Sequence, residues 1–318
     1  MEEQHDIIVI THGHLELTIN CINSIYKHTI APFHLIVMDD STPDMNEGTD
    51  MTLEWFKRFQ RTHSNITFVH SKVPYKSSLQ IFKKAFEYCK TPFVTVVVNS
   101  LTVEPEWDIA ALQIMRGTPQ IGMLGFKCLR MGTELIESAG LGVSSEGATL
   151  SDVGRGQAGH RFSKVYECDA VQWAFVMLRL EAVKPNLGAD VYFGFKGWEE
   201  FETCYTMRKA GWKIYYCGAG VGYHKTLGTR QAATLEDVIQ NMRNRETFAK
   251  RWGFWNNYHR INPAVQEFFP HMRARDMDVL PVLSVDPVGL ALRVQNFEQG
   301  TETQKEVTIE IHKQHGGR

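Results

Sequence analysis

Polar residues stand at the ends of four short apolar runs in the first third of the chain. They are Thr11–His12, Asp39–Asp40, His70–Ser71 and Asn99–Ser100. Carboxylates accept hydrogen bonds, whereas hydroxyl and imidazole groups both donate and accept them. If the runs are parallel strands of one sheet, these side chains converge beyond the carboxyl ends of the strands, where open α/β sheets bind ligands. The spacing therefore predicts a ligand site at that edge.

A second group of acids, Glu199 and Glu200, follows Trp198 where a helix is predicted to begin. Two explanations of these acids stay open. Acidic side chains are common in a first helical turn because they interact favourably with the helix dipole. Alternatively, one carboxylate is a general base that removes the proton of an attacking hydroxyl group. Two acids so close raise one another's pKa, which suits a base that works near neutral pH.

The elements that must position these side chains alternate regularly. Continuous apolar runs are typical of parallel strands covered on both faces. The four runs are residues 7–10, 35–38, 66–69 and 93–98. Between them, apolar residues recur at helical spacing, as in Leu15, Ile19 and Ile22. The alternation predicts a doubly wound, mostly parallel α/β sheet with right-handed crossovers.

The second half of the chain is less regular. The predicted strands are residues 121–126, 170–179 and 213–217, and the predicted helix is residues 234–252. Residues 140–159 are rich in Gly and Ser, which predicts either a flexible loop that leaves the sheet or a hairpin. We assign residues 1–252 to one α/β domain and residues 253–318 to a C-terminal extension. The extension either covers an acceptor site or makes a subunit contact in a homo-oligomer.

Composition excludes some classes of protein and limits others. The 318 residues are 43% hydrophobic and 22% charged, which permits a sizeable core and argues against global disorder. A formal net charge of −2 gives no whole-chain electrostatic case for binding nucleic acid or an anionic membrane. No signal peptide is expected, and the apolar runs are too short to cross a bilayer.

The six cysteines are scattered, and none forms a CxxC pair or a cluster with zinc spacing. Scattered cysteines of this kind are typical of buried, reduced thiols in a cytoplasmic protein. We therefore expect a cytoplasmic location and no structural zinc.

Two competing nucleotide-binding folds lack their signatures. The turn between the first strand and the first helix, residues 11–16, reads THGHLE and has one glycine, not the G-x-G-x-x-G of a nicotinamide-binding domain. No GxxxxGK[ST] phosphate loop occurs, and the Gly- and basic-rich first loop of a nucleotidyltransferase is missing. A diphosphate must then be held by a cation or by basic side chains.

Four segments carry a resemblance to a known family when their order and spacing are taken together. They are residues 6–11 with the helix that follows, 37–44 (VMDDSTPD), 97–107 (VVNSLTVEPEW) and 193–212, which contains FGFKGWEEFE and RKAGW. Over about residues 5–252 the chain resembles family 2 glycosyltransferases of the GT-A fold, in the branch similar to rhamnosyltransferases.

The resemblance implies an inverting transfer of a sugar from a nucleoside diphosphate sugar, most often a UDP-sugar, to a hydroxyl group of a glycan or another acceptor. Asp39 matches the residue that accepts a hydrogen bond from the nucleotide base. Thr11, Asp40, Asn99 and Ser100 are expected in the same nucleotide-sugar crevice. Asp40 and the nearby Asp44 have a second explanation, because both can stabilise the turn itself.

The resemblance also assigns the acceptor side. Glu200 matches the family's catalytic aspartate and is the expected base, with Glu199 beside it, whereas Glu202 matches an acid that is more often structural. Trp198 is expected to shape the acceptor side. Trp173 stands where the family has a small residue, and it either belongs to the core or contacts the sugar.

The main departure from the family is Asn99-Ser100-Leu101, which replaces the D-x-D element that binds Mn or Mg. Hard divalent ions prefer charged oxygen ligands, whereas Asn99 offers a neutral carbonyl and Leu101 offers no ligand. Three outcomes stay open: a metal held weakly by Asn99 and His224, a diphosphate neutralised by basic side chains, or a nucleotide-sugar-binding protein that has lost catalysis. The basic candidates are Lys72, Lys76 and Lys225.

Overall fold

The structure is a computed structural model of the chain. It describes residues 5–39, 51–73, 75, 77–144, 149–188, 197–225 and 235–252. The predicted C-terminal extension, residues 253–318, lies outside the described residues, so its boundary and its role stay predictions.

The first half of the domain is the predicted alternation of strands and helices. Its elements are β1 (His5–Thr11), α1 (Leu15–His28), β2 (Phe33–Asp39), α2 (Met51–Phe59), β3 (Ile66–His70), α3 (Ser78–Ala85) and β4 (Phe93–Val98). The four strands are parallel neighbours in the order β3-β2-β1-β4. All four predicted strands and the three helices between them are confirmed.

The second half extends the same sheet. Its elements are β5 (Leu101–Val103), α4 (Trp107–Gly117), β6 (Ile121–Arg130), β7 (Ile136–Ser138), β8 (Leu141–Ser144), β9 (Thr149–Asp152), β10 (Val165–Glu167), β11 (Phe175–Arg179), α5 (Leu180–Asn186), α6 (Glu199–Lys209), β12 (Lys213–His224) and α7 (Leu235–Arg251). Beyond β4 the order is β11-β6-β12-β10. β11 runs antiparallel to β4 and β6, whereas β12 is parallel to β6.

Helices cover both faces of the sheet. Side chains alternate between the two faces along a strand, so Ile7 and Ile8 of β1 enter different apolar clusters. Ile7 belongs to the cluster that includes Cys21 of α1 and Met115 of α4. Ile8 belongs to the cluster that includes residues of α3, α5, α6 and α7, such as Phe82 of α3. This two-sided cover is the predicted doubly wound arrangement.

Two strand bounds differ from the sequence prediction, and the structure decides one alternative that the sequence leaves open. β11 begins at Phe175, not at residue 170, and β12 continues past Cys217 to His224. Residues 140–159 contain the two-stranded β8–β9 hairpin, which is one of the two structures predicted for that segment.

The sequence of β12 is Gly-rich after Cys217, and glycine has low strand propensity. A Cβ at Gly218 would collide with the carbonyl oxygen of Phe162, so close backbone approach requires glycine there.

All six cysteines lie among the described residues, and all six are free thiols. Five of them are buried, as expected. Burial raises the pKa of Cys204 to about 12, so this thiol is protonated at neutral pH. Within the described part of the chain, no helix combines the length and the apolar character needed to span a membrane.

Asp6 connects three parts of the sheet near the amino ends of its central strands. One carboxylate oxygen contacts Nδ1 of His34 on β2 at 2.8 Å. The other accepts hydrogen bonds from the backbone amides of Lys90 and Thr91 and from the Thr91 hydroxyl, at 2.9, 2.8 and 2.7 Å. Burial raises the pKa of the Asp6 carboxyl, but the hydrogen bonds from His34, Thr91 and Lys90 outweigh it and hold the pKa below its ordinary value of 3.8.

We expect Asp6→Asn to lower the free energy of unfolding by about 1–3 kcal/mol at pH 7, because an amide cannot accept on both of its atoms. A depressed pKa stabilises the fold above the unfolded value of 3.8, and this contribution is lost as pH falls through the lower folded value. Urea unfolding at pH 7 and pH 3 should therefore show a smaller difference from wild type at pH 3. Equal differences at both pH values would contradict this assignment.

A matched control is Glu87→Gln. Glu87 is 61% exposed and pairs with Lys84 on the surface of the domain. Exposed pairs of this kind contribute about 0–1 kcal/mol, so this variant should unfold almost like wild type.

Candidate functional site

The register of the parallel strands brings the predicted strand-end residues together. Thr11 lies opposite Asp39, and Asp39 lies opposite His70. β4 pairs with β1 up to Val98, so Asn99 follows at the same edge. The predicted convergence of Thr11, Asp39, His70 and Asn99 is therefore present.

Asn99 joins the end of β4 to the start of α1. Its Nδ2 donates to the hydroxyl of Thr18 at 3.1 Å and lies 3.4 Å from that of Thr11. The two hydroxyl oxygens are 2.9 Å apart, and all three side chains are buried. An amide supplies a donor that a carboxylate lacks, so this network gives Asn99 a structural task at the position where the family has an aspartate.

Asp39 is fully buried, and its Oδ2 lies 2.8 Å from Nδ1 of His70, which is 21% exposed. The ring thereby holds the carboxylate in one orientation. A carboxylate only accepts hydrogen bonds, so an N–H donor is the kind of ligand group that Asp39 suits. The sequence identified both residues but not their pairing.

Ser100 and His224 belong to a chain of hydrogen bonds that the sequence did not predict. Nε2 of His224 lies 3.1 Å from the Ser100 hydroxyl, and Nδ1 lies 2.8 Å from Oε2 of Glu137. β12 brings His224 beside β5, where it pairs with Leu101. Glu137 lies on β7, which carried no strand signal of its own, and no local pattern connects it with a histidine 87 positions later.

The acids of α6 have three different environments. Glu199 is 3% exposed, and its Oε1 accepts a 2.6 Å hydrogen bond from Ser78 at the start of α3. Glu200 is half-buried. Glu202 is fully buried and accepts hydrogen bonds from Arg251 at 2.8 Å and from the Trp252 indole at 2.6 Å. The contact with Ser78 brings the start of α6 to the start of α3, a helix that follows the carboxyl end of β3.

The two tryptophans are both packed into the domain. Trp198 is 7% exposed, and its ring centroid lies 5.4 Å from that of Phe248 on α7. It has a φ of 81°, and Gly197 before it has a φ of 84°, so the chain enters α6 through two successive left-handed residues. Trp173 is 5% exposed and packs edge-to-face on Phe82 at 4.6 Å, which matches the core alternative.

Of the remaining residues that were predicted to bind the ligand or to support its turn, some are not described and others are exposed. Asp40, Asp44 and Lys76 lie outside the described residues. Lys72 and Lys225 are exposed.

The described residues at the strand ends do not form a cluster of metal ligands. Across the described segments, no three His, Cys, Asp or Glu side chains gather closely enough to hold an ion. Both ring nitrogens of His224 have protein partners, the amide nitrogen of Asn99 contacts Thr18, and Leu101 is fully buried.

Comparison with known proteins identifies the fold. No protein-family model and no curated protein sequence matches the chain. The solved structure of GalNAc-T7 with UDP, GalNAc and Mn2+ superimposes with a TM-score of 0.62 at 12% identity, covering 86% of this chain and 53% of that one. S. aureus TarS 1-349 in complex with UDP-GlcNAc gives a TM-score of 0.54 at 15% identity, covering 86% and 77%.

The chain thus spans about half the length of the GalNAc-T7 structure. At this level of identity the likeness concerns the fold, and the predicted GT-A fold is confirmed.

Proposed function

We propose that the protein transfers a sugar from a nucleoside diphosphate sugar to an acceptor hydroxyl group. The observation that carries the proposal is the position of Thr11, Asp39 and Asn99 at adjacent strand ends of a GT-A sheet. The hydrogen bond between Ser78 and Glu199 supports a role for the acids of α6 at this edge, because it joins α6 to the start of α3, which follows the carboxyl end of β3. Structures of this fold were solved with UDP and GalNAc and with UDP-GlcNAc, which supports a UDP-sugar as donor.

In this proposal Asp39 accepts a hydrogen bond from the nucleotide base. The N3–H group of uracil only donates, and a carboxylate only accepts, so the two are complementary. The contact with His70 keeps the carboxylate in place before the nucleotide arrives. Such pre-organisation reduces the entropy that binding must overcome.

Glu200 is the proposed base. Glu199 is almost fully buried and bonded to Ser78, whereas Glu200 is half-buried in the same turn of α6. The carboxylate removes the proton of the acceptor hydroxyl as its oxygen attacks the anomeric carbon, and the bond from that carbon to the diphosphate breaks. A one-step displacement inverts the anomeric carbon; inversion and membership of the rhamnosyltransferase-like branch of family 2 rest on the sequence resemblance.

A nucleotide-sugar-binding protein without catalysis is the second candidate. Asn99 and Leu101 favour it, since neither supplies the carboxylate that a D-x-D element would offer. Thermal-shift screening of UDP-, GDP- and dTDP-sugars, with and without Mn2+, followed by donor hydrolysis assays with and without EDTA, separates the two candidates. A transferase turns the donor over, whereas a binding protein is stabilised by the nucleotide sugar and releases no product.

We expect Asp39→Asn to weaken UDP binding about 10- to 100-fold, because a hydrogen bond to a charged group contributes about 1.5–3 kcal/mol. Isothermal titration calorimetry with UDP measures the change. The control is Glu54→Gln, which makes the same carboxylate-to-amide change at a residue on α2 that is 53% exposed. Unchanged UDP affinity in a folded Asp39→Asn protein would remove Asp39 from the donor site.

We expect Glu200→Gln to lower kcat about 10²- to 10⁴-fold and to leave donor affinity unchanged, because the amide keeps the shape of the side chain but cannot accept a proton. Initial rates of transfer and UDP titrations give both quantities. Glu181→Gln is the matched control on α5, where Glu181 is 72% exposed. Full transferase activity in Glu200→Gln would refute the assignment of the base.

A further inference from the structure

A cavity of about 740 Å³ adjoins the strand-end site and shares Asn99 and Ser100 with it, but most of its lining has no role in the proposed function. It forms where α1, β5, β12 and the turn between β6 and β7 meet, and Asn99 and Ser100 are part of its wall. Its volume falls in the range of roughly 300–1,000 Å³ that small-molecule sites occupy. It is therefore large enough for a ligand of its own.

Neither the proposed catalytic base nor the carboxylate proposed to bind the nucleotide lines the cavity. The described residues that line it include Leu17 and Asn20 of α1 and do not include Asp39, Glu199 or Glu200. α1 packs on the face of the sheet opposite to α6. An occupant of this cavity is thus a different group from the hydroxyl that Glu200 deprotonates.

The charge of the wall disfavours a diphosphate. Among the described lining residues there is no Lys and no Arg, and the one ionisable carboxylate is Glu134. Phosphate groups bind where cations or clustered N–H donors face them. The described wall, with one carboxylate and no Lys or Arg, therefore disfavours an anionic ligand.

Two lining hydroxyl groups are held in place through carboxylates, one of them the buried Glu137 and the other the exposed Glu134. The Ser100 hydroxyl contacts His224, which Glu137 orients. The Tyr223 hydroxyl donates to Oε1 of Glu134 at 2.7 Å. This hydrogen bond raises the pKa of Tyr223 to about 12, so the phenol keeps its proton at neutral pH.

The remaining wall mixes hydrogen-bonding and apolar groups. Asn20 and Thr102 add amide and hydroxyl groups, while Leu17 and Met131 add apolar surface, and Met131 is 41% exposed. A sugar hydroxyl both donates and accepts hydrogen bonds, and the C–H faces of a pyranose pack on aromatic and aliphatic side chains. These complementary groups occur together in this wall.

From this wall we infer that the cavity beside Ser100 is a second carbohydrate site, which binds a neutral pyranoside unit other than the one that is glycosylated. In an oligosaccharide acceptor this unit is remote from the reacting hydroxyl. The binding of a pyranoside is inferred from the cavity and its lining, whereas the place of that unit in an acceptor rests on the proposed function.

The test uses methyl pyranosides as probes, namely the methyl glycosides of glucose, galactose and N-acetylglucosamine, and measures binding to the full chain by saturation-transfer NMR and calorimetry. We expect Thr102→Val to weaken the binding of the preferred glycoside about 2- to 10-fold, as expected for the loss of one hydrogen bond. Tyr223→Ala should weaken it by at least about tenfold, because the variant also removes the ring surface. Tyr215→Phe, a change on the same strand away from the cavity, should bind like wild type.

UDP titrations separate this inference from the proposed function. Thr102→Val and Tyr223→Ala should leave UDP affinity unchanged, and Asp39→Asn should leave glycoside affinity unchanged. Glycoside binding without any turnover of nucleotide sugars would support the cavity site and contradict the transferase. Failure of all three glycosides to bind at millimolar concentration, or displacement of a bound glycoside by UDP, would overturn the inference.

Discussion

The hydrogen-bonded register of β3, β2, β1 and β4 is the constraint on which the site depends. Thr11, Asp39 and His70 face one another because three parallel strands end in step. Side chains alternate between the faces of a sheet, so a slip of one residue would move the apolar residues of a strand to the wrong core and turn its polar end away. Both cores are tightly filled, and this packing fixes the register.

Carboxylate–histidine pairs connect the strands that carry the site. Asp6 pairs with His34, Asp39 with His70, and Glu137 with His224, each at 2.8 Å. A buried carboxylate is unfavourable unless hydrogen bonds compensate for the water it has lost. The pairs meet this need and at the same time hold side chains from different strands in fixed orientations. Pre-organised polar groups of this kind are what binding of a polar ligand requires.

The start of α6 is held from two sides. Glu199 contacts Ser78 on α3, and Glu202 contacts Arg251 and Trp252 at the end of α7. Glu200, between them, is the half-buried acid. The neighbouring acids thus give the helix its position, and the proposed base gains a fixed location without being buried itself.

Local patterns determined the first half of the domain and the position of its polar strand ends. Apolar runs and helical spacing act over a few residues, so β1 to β4 and the start of α6 were readable from the chain alone, and Asp39 and Asn99 could be placed at one edge. The tertiary structure decided the chain of hydrogen bonds from Glu137 through His224 to Ser100. It also decided how deeply each acid of α6 is buried and how far β12 continues through its glycines. Each of these depends on contacts between residues far apart in sequence, which no local periodicity encodes.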